Sequence, residues 1–472
     1  MKQITIDPVT RIEGHAKVTI HLDDDGRVAD TQFHVTQVRG FEKFVEGRPF
    51  HEMPGITARV CGICPVSHLL ASSKACDAIM AVRIPPAAKM LRELVHYGQF
   101  VQSHALSFFY LSAPDLLLGM DHDPATRNVM GVIAEFPEVA RSGIELRKFG
   151  LQIVEAVAKE RVHGAGIVPG GVALPLAAAT RDRLLADLPT AMTTARRTLA
   201  LFKQKLDGFD EEIETFGTEP MMSAAIVDEA GDLQLYEGRL RFQDADGRIV
   251  ADQIEAHDYP YWIGEASLRE SYMKSPYFRP AGFDGGAYRV GPLARMNVVR
   301  ACGTPLADAE LTEFRQRFGT PAHGAFLFHY ARLIEIVHAL ERIEGLLANE
   351  AILDTRVRAT AGVNATEGVG MIEAPRGLLL HHYKVNEEGA MTWANLIVAT
   401  GHNNHAINRS IRQVSRRYID GAHLTEGMLN RVSAVIRAFD PCLSCSTHAI
   451  GEIALRLRLV GPDGALLEER VR

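Results

Sequence analysis

The sequence predicts an α+β protein, mainly helical, with antiparallel β segments at its periphery. Two observations carry that prediction. Several long stretches repeat apolar residues at helical spacing, foremost GAFLFHYARLIEIVHALERIEGLLAN at 324–349. Shorter segments alternate apolar and polar residues around Asp-Gly turns, at the N-terminus and again over 231–256.

The elements follow in order. Within the first 35 residues ITI, HAKVTIHL and VADTQFHV alternate, with DDDG as a turn, and read as strands. From Pro85 to Ser112 the pattern is helical, opened by Pro85 and Pro86 and closed by Pro114. EVARSGIELRKFGLQIVEAVAKE, after Pro137, is a second helix, and HGAGIVPGGVALP (163–175) a Gly/Pro-rich loop. A long helix runs from about Thr180 to the acidic stretch DGFDEEIETFG, itself a solvated face or loop. LTEGMLNRVSAVIRAF (424–439) is a shorter helix that delivers the chain to Asp440 and Pro441.

The 472 residues are 47% hydrophobic and 23% charged, which suits a globular protein with a sizeable core. The net charge of -7 is spread over both signs, and no basic block suits a nucleic acid. No apolar run reaches the roughly 18 residues that span a bilayer. MKQITIDPVT carries no signal pattern, so the expected compartment is the cytoplasm. The glycine clusters at 164–171 and 368–377 lack the spacing of a dinucleotide or phosphate loop, so this chain is expected to bind no nucleotide.

Six cysteines occur, and four form two CxxC pairs: RVCGICPVSH (59–68) and DPCLSCSTH (440–448). In a reducing compartment that usage favours metal or redox chemistry over disulfides. Cys76 and Cys302 are isolated and read as small buried residues. Four thiolates are soft ligands, so zinc, iron and nickel are all candidates. Pro65 and the helical VSHLLASSKACDAIM place Cys64 at a helix N-terminus, where free N–H groups favour the thiolate. His68 lies one turn on, on the same face, as a donor to that sulfur. Gly62 is read as giving the tight turn that lets Cys61 and Cys64 converge. Two alternatives stay open on the residues alone: a structural four-cysteine zinc site and a dithiol oxidoreductase.

Beyond the cysteines, the chain carries DPVTRIEGHAKV, RGFEKFVEGRPF, SHALSFFYLSAPD, VPGG and EAPRG. Together with the two cysteine motifs these resemble the large subunit of nickel–iron hydrogenases, most of all the cytoplasmic bidirectional group that reduces NAD. The resemblance implies a mainly helical fold with a helical bundle core. It implies that Cys61 and Cys442 are terminal nickel ligands, and that Cys64 and Cys445 bridge nickel to an iron bearing carbon monoxide and cyanide. The centre splits hydrogen heterolytically, with an open metal position and a nearby base. Cys442 serves as that base, and Glu13 passes the proton outward. Arg376 stands above the open position, held by Asp115 and Asp440. Glu42, His448 and the Leu396 carbonyl hold a second, magnesium-like ion, and Thr400 hydrogen-bonds an iron-bound cyanide. The stretch LIVATGHNN departs from relatives that carry proline and tryptophan there. His329 and His338 match nothing and read as ordinary histidines.

By the same resemblance, residues 1–448 form one catalytic domain. Residues 449–472 form an extension that an endopeptidase removes after His448 once nickel is in place. Leu455, Leu457 and Leu459 alternate with arginines before GPDG, so that tail reads as a hairpin. With four cysteines used, none remain for an iron–sulfur chain. A small iron–sulfur subunit is therefore implied, with flavin/NAD-binding diaphorase subunits beyond it and nickel-insertion factors during assembly. Deazaflavin, ferredoxin or a disulfide reductase are alternative acceptors. A non-catalytic scaffold relative is the reading of a different class.

Overall fold

The computed structural model describes residues 2–419, 423–447, 456–460 and 466–471. Four long helices form its centre. Pro86–Leu106 packs on Pro137–Ala158 and on Phe328–Ala348, and Ala178–Leu206 packs on the last two of these, closing a four-helix ring. Leu94, Phe100, Leu146, Ile153, Leu184, Ile336 and Leu340 fill it, all fully buried. This is the bundle that the resemblance implies.

The strands lie around the bundle as small, mostly antiparallel sheets. Lys2–Ile6, Ala16–Leu22 and Val28–Val35 form an N-terminal meander. Arg239–Gln243 and Ile249–Ile254 pair across the Asp244–Gly247 turn. Met222–Val227 joins them, with Tyr288–Arg289 parallel on its other edge. Glu367–Ala374, Gly377–Val385 and Met391–Ile397 form a third sheet, against which the helix Pro65–Met80 lies.

Two expectations need correction. Pro114 does not close its helix: after Leu106 the chain goes on in wider π-helical turns, Ser107–Ser112 and Pro114–Leu118. A π turn leaves different N–H groups unbonded, which lets the ring of Pro114 fit, and such turns recur at functional sites. The acidic stretch is in part a short helix, Asp210–Thr215, with Glu212 buried. In the tail, Arg456–Val460 and Leu466–Val471 pair antiparallel, as the hairpin reading requires. The turn between them lies outside the described residues.

Candidate metal centre

The two cysteine motifs meet because three backbone contacts bring the ends of the chain together. Glu13 forms a parallel β-bridge with Cys442. The Leu443 N–H donates to the Glu13 carbonyl at 3.2 Å. Arg39 and Gly40 donate to the Thr447 carbonyl at 2.9 and 3.2 Å. The four sulfurs then converge: all lie within 4.8 Å of one another, and all four residues are buried. The Cys61 and Cys442 sulfurs are 3.3 Å apart, those of Cys64 and Cys445 3.2 Å, and those of Cys442 and Cys445 2.9 Å.

Cys64 caps the helix Pro65–Met80, and the Ile63 N–H donates to the Cys61 sulfur at 3.2 Å. Gly62 does not play the part expected of it. Its φ is not positive, and a Cβ there would meet open space, so no tight turn demands a glycine. It is exposed, and the centre therefore lies just beneath the surface at this loop.

Hydrogen bonds from Cys442 and Cys445 push the Cys61 thiol well down, while burial pushes Cys442 and Cys445 well up. Four such acids cannot all ionise side by side without cations between them. Coordinated metal removes that obstacle, since a metal-bound thiol is deprotonated outright.

Beside the sulfurs lies a small cavity of about 10 Å³. Cys64, Cys442, Cys445, His68, Arg376 and Thr400 line it together with apolar Pro375, Leu379 and Val398. Ser67, which the sequence reading missed, lines it too, and its hydroxyl is buried without a partner. The Thr400 hydroxyl oxygen accepts the Cys442 N–H at 2.8 Å, leaving its own hydrogen to donate. An apolar wall with a free hydroxyl and a guanidinium suits small iron-bound ligands such as carbon monoxide and cyanide, so the residues fit that group.

Arg376 is buried. Its Nε donates to the Asp440 carbonyl at 2.7 Å, Nη2 to the Asp440 carboxylate at 3.1 Å and Nη1 to the Ser103 hydroxyl at 3.2 Å. Burial works against its charge, but Asp440 and the sulfurs outweigh burial and hold it protonated. Asp440 also ends the helix Glu426–Phe439 in a left-handed conformation, φ 53°.

Asp115 is placed differently from the expectation. Its carboxylate accepts from Arg11 at 2.5 Å, from Asn430 at 3.1 Å and from Arg437, and not from Arg376. The π-helical turns around Asp115 set it facing these groups. Ser103, which the sequence did not single out, is the second side chain on Arg376.

His68 is buried against His381, Nδ1 to Nε2 3.1 Å, and burial pushes it down to about 4, so it is neutral at pH 7. His381 in turn meets the Tyr383 hydroxyl at 2.6 Å.

A second small cavity collects Glu42, Glu265, Lys274, Leu396 and Ser446. Glu42 Oε1 accepts the Leu396 N–H at 2.9 Å and Lys274 Nζ at 3.1 Å, and Lys274 also reaches Glu265 at 3.1 Å. Carboxylates around so small a space suit a hard cation. Ser446 brings the end of the second cysteine motif to this cavity, while His448 lies outside the described residues.

The fold and the sulfur cluster define a protein with a buried four-thiolate metal centre, and comparison with known families says which one. The nickel-dependent hydrogenase family matches residues 39–129 and 218–448, and a HoxL-like family matches 3–38. The chain belongs to the nickel-dependent hydrogenase family. It is 42% identical to the NAD-reducing hydrogenase HoxS subunit beta of Cupriavidus necator, over 100% of both chains. It is 43% identical to a chain of the vhu F420-non-reducing hydrogenase of Methanocaldococcus jannaschii, over 88% of this chain and 99% of that one. A solved NAD+-reducing [NiFe]-hydrogenase superposes with a TM-score of 0.93 at 44% identity, covering 95% of this chain and 100% of that one.

Proposed function

We propose that this chain is the hydrogen-splitting subunit of a nickel–iron hydrogenase, catalysing H2 = 2 H+ + 2 e−, with NAD+ as the final electron acceptor. The observation that carries the reading is the convergence of four buried sulfurs from opposite ends of the chain beside a cavity that holds Arg376. Nickel and iron bound there supply the open coordination position at which hydrogen is cleaved.

The chain's own groups do the rest. Cys61, Cys64, Cys442 and Cys445 would hold the nickel and iron through their sulfurs. Arg376, fixed by Asp440 and Ser103, places positive charge over the centre and offsets its thiolates. Thr400, Ser67 and Arg376 line the cavity and would offer donors to cyanide on a bound iron. Glu13, bridged to Cys442 through the backbone, receives the proton from that sulfur and carries it toward solvent. It is half-buried and so connects the two environments. His68 lines the same cavity as Cys64, with its ring set by His381. Glu42 and the Leu396 carbonyl would hold magnesium at the second cavity, with His448, which lies outside the described residues, as the third ligand of this reading.

The electrons leave through a separate iron–sulfur subunit, because Cys76 and Cys302 are the only other cysteines. Its docking face is read at the N-terminal strands and the first cysteine loop, where Gly62 is exposed. Diaphorase subunits carrying flavin then reduce NAD+. Full-length similarity to an NAD-reducing relative favours this acceptor, and the likeness to F420-non-reducing enzymes keeps another acceptor as the second reading. No helix among the described residues is long and apolar enough to cross a membrane, which is in keeping with a cytoplasmic enzyme. The family match ends at residue 448, which supports one domain over 1–448 and removal of 449–472 by a maturation endopeptidase after nickel insertion.

Infrared spectroscopy of the purified complex tests the assignment. Bands from metal-bound carbon monoxide and cyanide are expected. Their absence, together with stoichiometric zinc, would leave a metal-structured scaffold in place of an enzyme.

A further inference from the structure

Arg295 sits on the short helix Pro292–Val298 and is fully buried. Its guanidinium uses all five of its N–H groups. Nε and Nη2 fork onto the Glu335 carboxylate at 2.5 and 2.7 Å. Nη1 donates to Glu373 at 2.7 Å and to the Ala374 carbonyl at 3.1 Å. The remaining Nη2 hydrogen goes to the Pro375 carbonyl at 3.0 Å. Arg295 therefore grips both residues that immediately precede Arg376.

The grip is itself braced. Glu335 accepts from, or faces, His104 Nε2 at 2.7 Å, and the second oxygen of Glu373 accepts the Ile226 N–H at 2.9 Å. Gly291, at the start of the same helix, adds a steric stop: a Cβ there would stand 2.5 Å from the Arg376 carbonyl.

We propose that Arg295 is a positioning residue for Arg376, acting through the Ala374 and Pro375 carbonyls, with Glu335 and Glu373 fixing its orientation. The inference rests on the reading of Arg376 as the arginine over the metal pair. A buried ion pair by itself is weak evidence for a stabilising role. What singles this one out is where its spare donors go: a planar fork braced by two carboxylates spends the rest of its donors on one short backbone segment. Lysine at 295 keeps the charge but cannot reproduce the fork, so it separates charge balance from positioning. Displacements of an ångström at such a group are enough to lower turnover about a hundredfold.

The test is Arg295→Lys in the whole complex, with four readouts: nickel and iron content, melting temperature, the carbon monoxide and cyanide infrared bands, and hydrogen turnover. The expected result is wild-type metal content, a melting temperature lowered but still above that of the assay, displaced cyanide bands, and turnover reduced by at least about tenfold. A loaded, folded Arg295→Lys enzyme with wild-type bands and turnover would overturn the proposal. Should that variant fail to load, Glu373→Gln and Glu335→Gln leave the guanidinium in place and are judged by the same bands; wild-type spectra and turnover in both would overturn it equally. If the wild-type complex itself shows no such bands, it is the hydrogenase reading that fails, and the two failures are thereby distinguished.

Discussion

At Gly14 the backbone takes φ +84°, and a Cβ there would stand 2.7 Å from that of Leu443. Only glycine lets the N-terminal segment run this close to the second cysteine turn. That closeness lets Glu13 bridge Cys442 and accept the Ser444 N–H at 3.0 Å. Glu13→Gln keeps the shape and the acceptor oxygen but cannot carry a proton. It is expected to retain wild-type nickel and iron while losing hydrogen turnover by about a hundredfold or more. Elemental analysis beside a turnover assay decides it, and near-normal turnover would remove Glu13 from the proton path. At this scale the sequence was legible in identity more than in partnership. The four cysteines, Glu13, Arg376, Asp440 and Thr400 stand together in the structure as their motifs imply. Asp115 was found as a residue, but the structure sets it among Arg11, Arg127 and Arg437, because a buried carboxylate takes whichever guanidinium the fold presents. Ser67 and Ser103 gave no signal, since a serine in a helix looks the same whether it faces a cavity or a neighbour.

The helix Pro65–Met80 carries Cys64 at its first turn and lies on the strand Glu367–Ala374, which leads to Arg376. That one contact therefore sets the distance between the thiolates and the guanidinium. It is close because Gly370 has no side chain: a Cβ there would stand 1.9 Å from the Ala71 carbonyl. Gly370→Ala must push helix and strand apart. The expected cost is about 2–4 kcal/mol, with nickel retention falling alongside, read from the urea midpoint and from nickel per chain. A variant with unchanged midpoint and full nickel would show that the helix moves aside freely. The same element explains a sheet that the sequence hid. Glu367–Ala374 and Gly377–Val385 are buried on nearly every residue, so they lack the alternation that revealed the N-terminal meander. Pro137–Ala158 and Ala178–Leu206 were legible because each keeps an exposed stripe opposite the bundle, while Pro86–Leu106 and Phe328–Ala348, buried nearly all round, were legible by length and apolar content.

The fold as a whole buries histidines that no part of the proposed chemistry uses. His96, His329, His338 and His402 lie on three separate helices of the interior. Burial pushes His96 down to about 4, and His329, His338 and His402 down to about 3. One ring nitrogen each of His96, His338 and His402 is buried without a partner, so no carboxylate waits there to receive a proton. In the unfolded chain all four titrate near 6.5. Above that pH they are neutral in both states and add no pH dependence. Below it the unfolded chain takes up protons that the folded one refuses, so stability falls as pH drops from 6.5 toward 4. Each histidine contributes up to about 1.4 kcal/mol per pH unit, or about 5 kcal/mol per unit for the four. Glu373, raised by burial to about 7 despite Arg295, works in the opposite direction over part of this range, as do Glu42, Glu93 and Glu212, while His68 and His104, also lowered by burial, add to the four. The urea midpoint is therefore expected to be distinctly lower at pH 5.5 than at pH 7.5, with the midpoints at 7.5 and 8.5 alike. Equal midpoints at 5.5 and 7.5 would mean that these histidines accept protons inside the folded chain, which the apolar surroundings of their free nitrogens oppose.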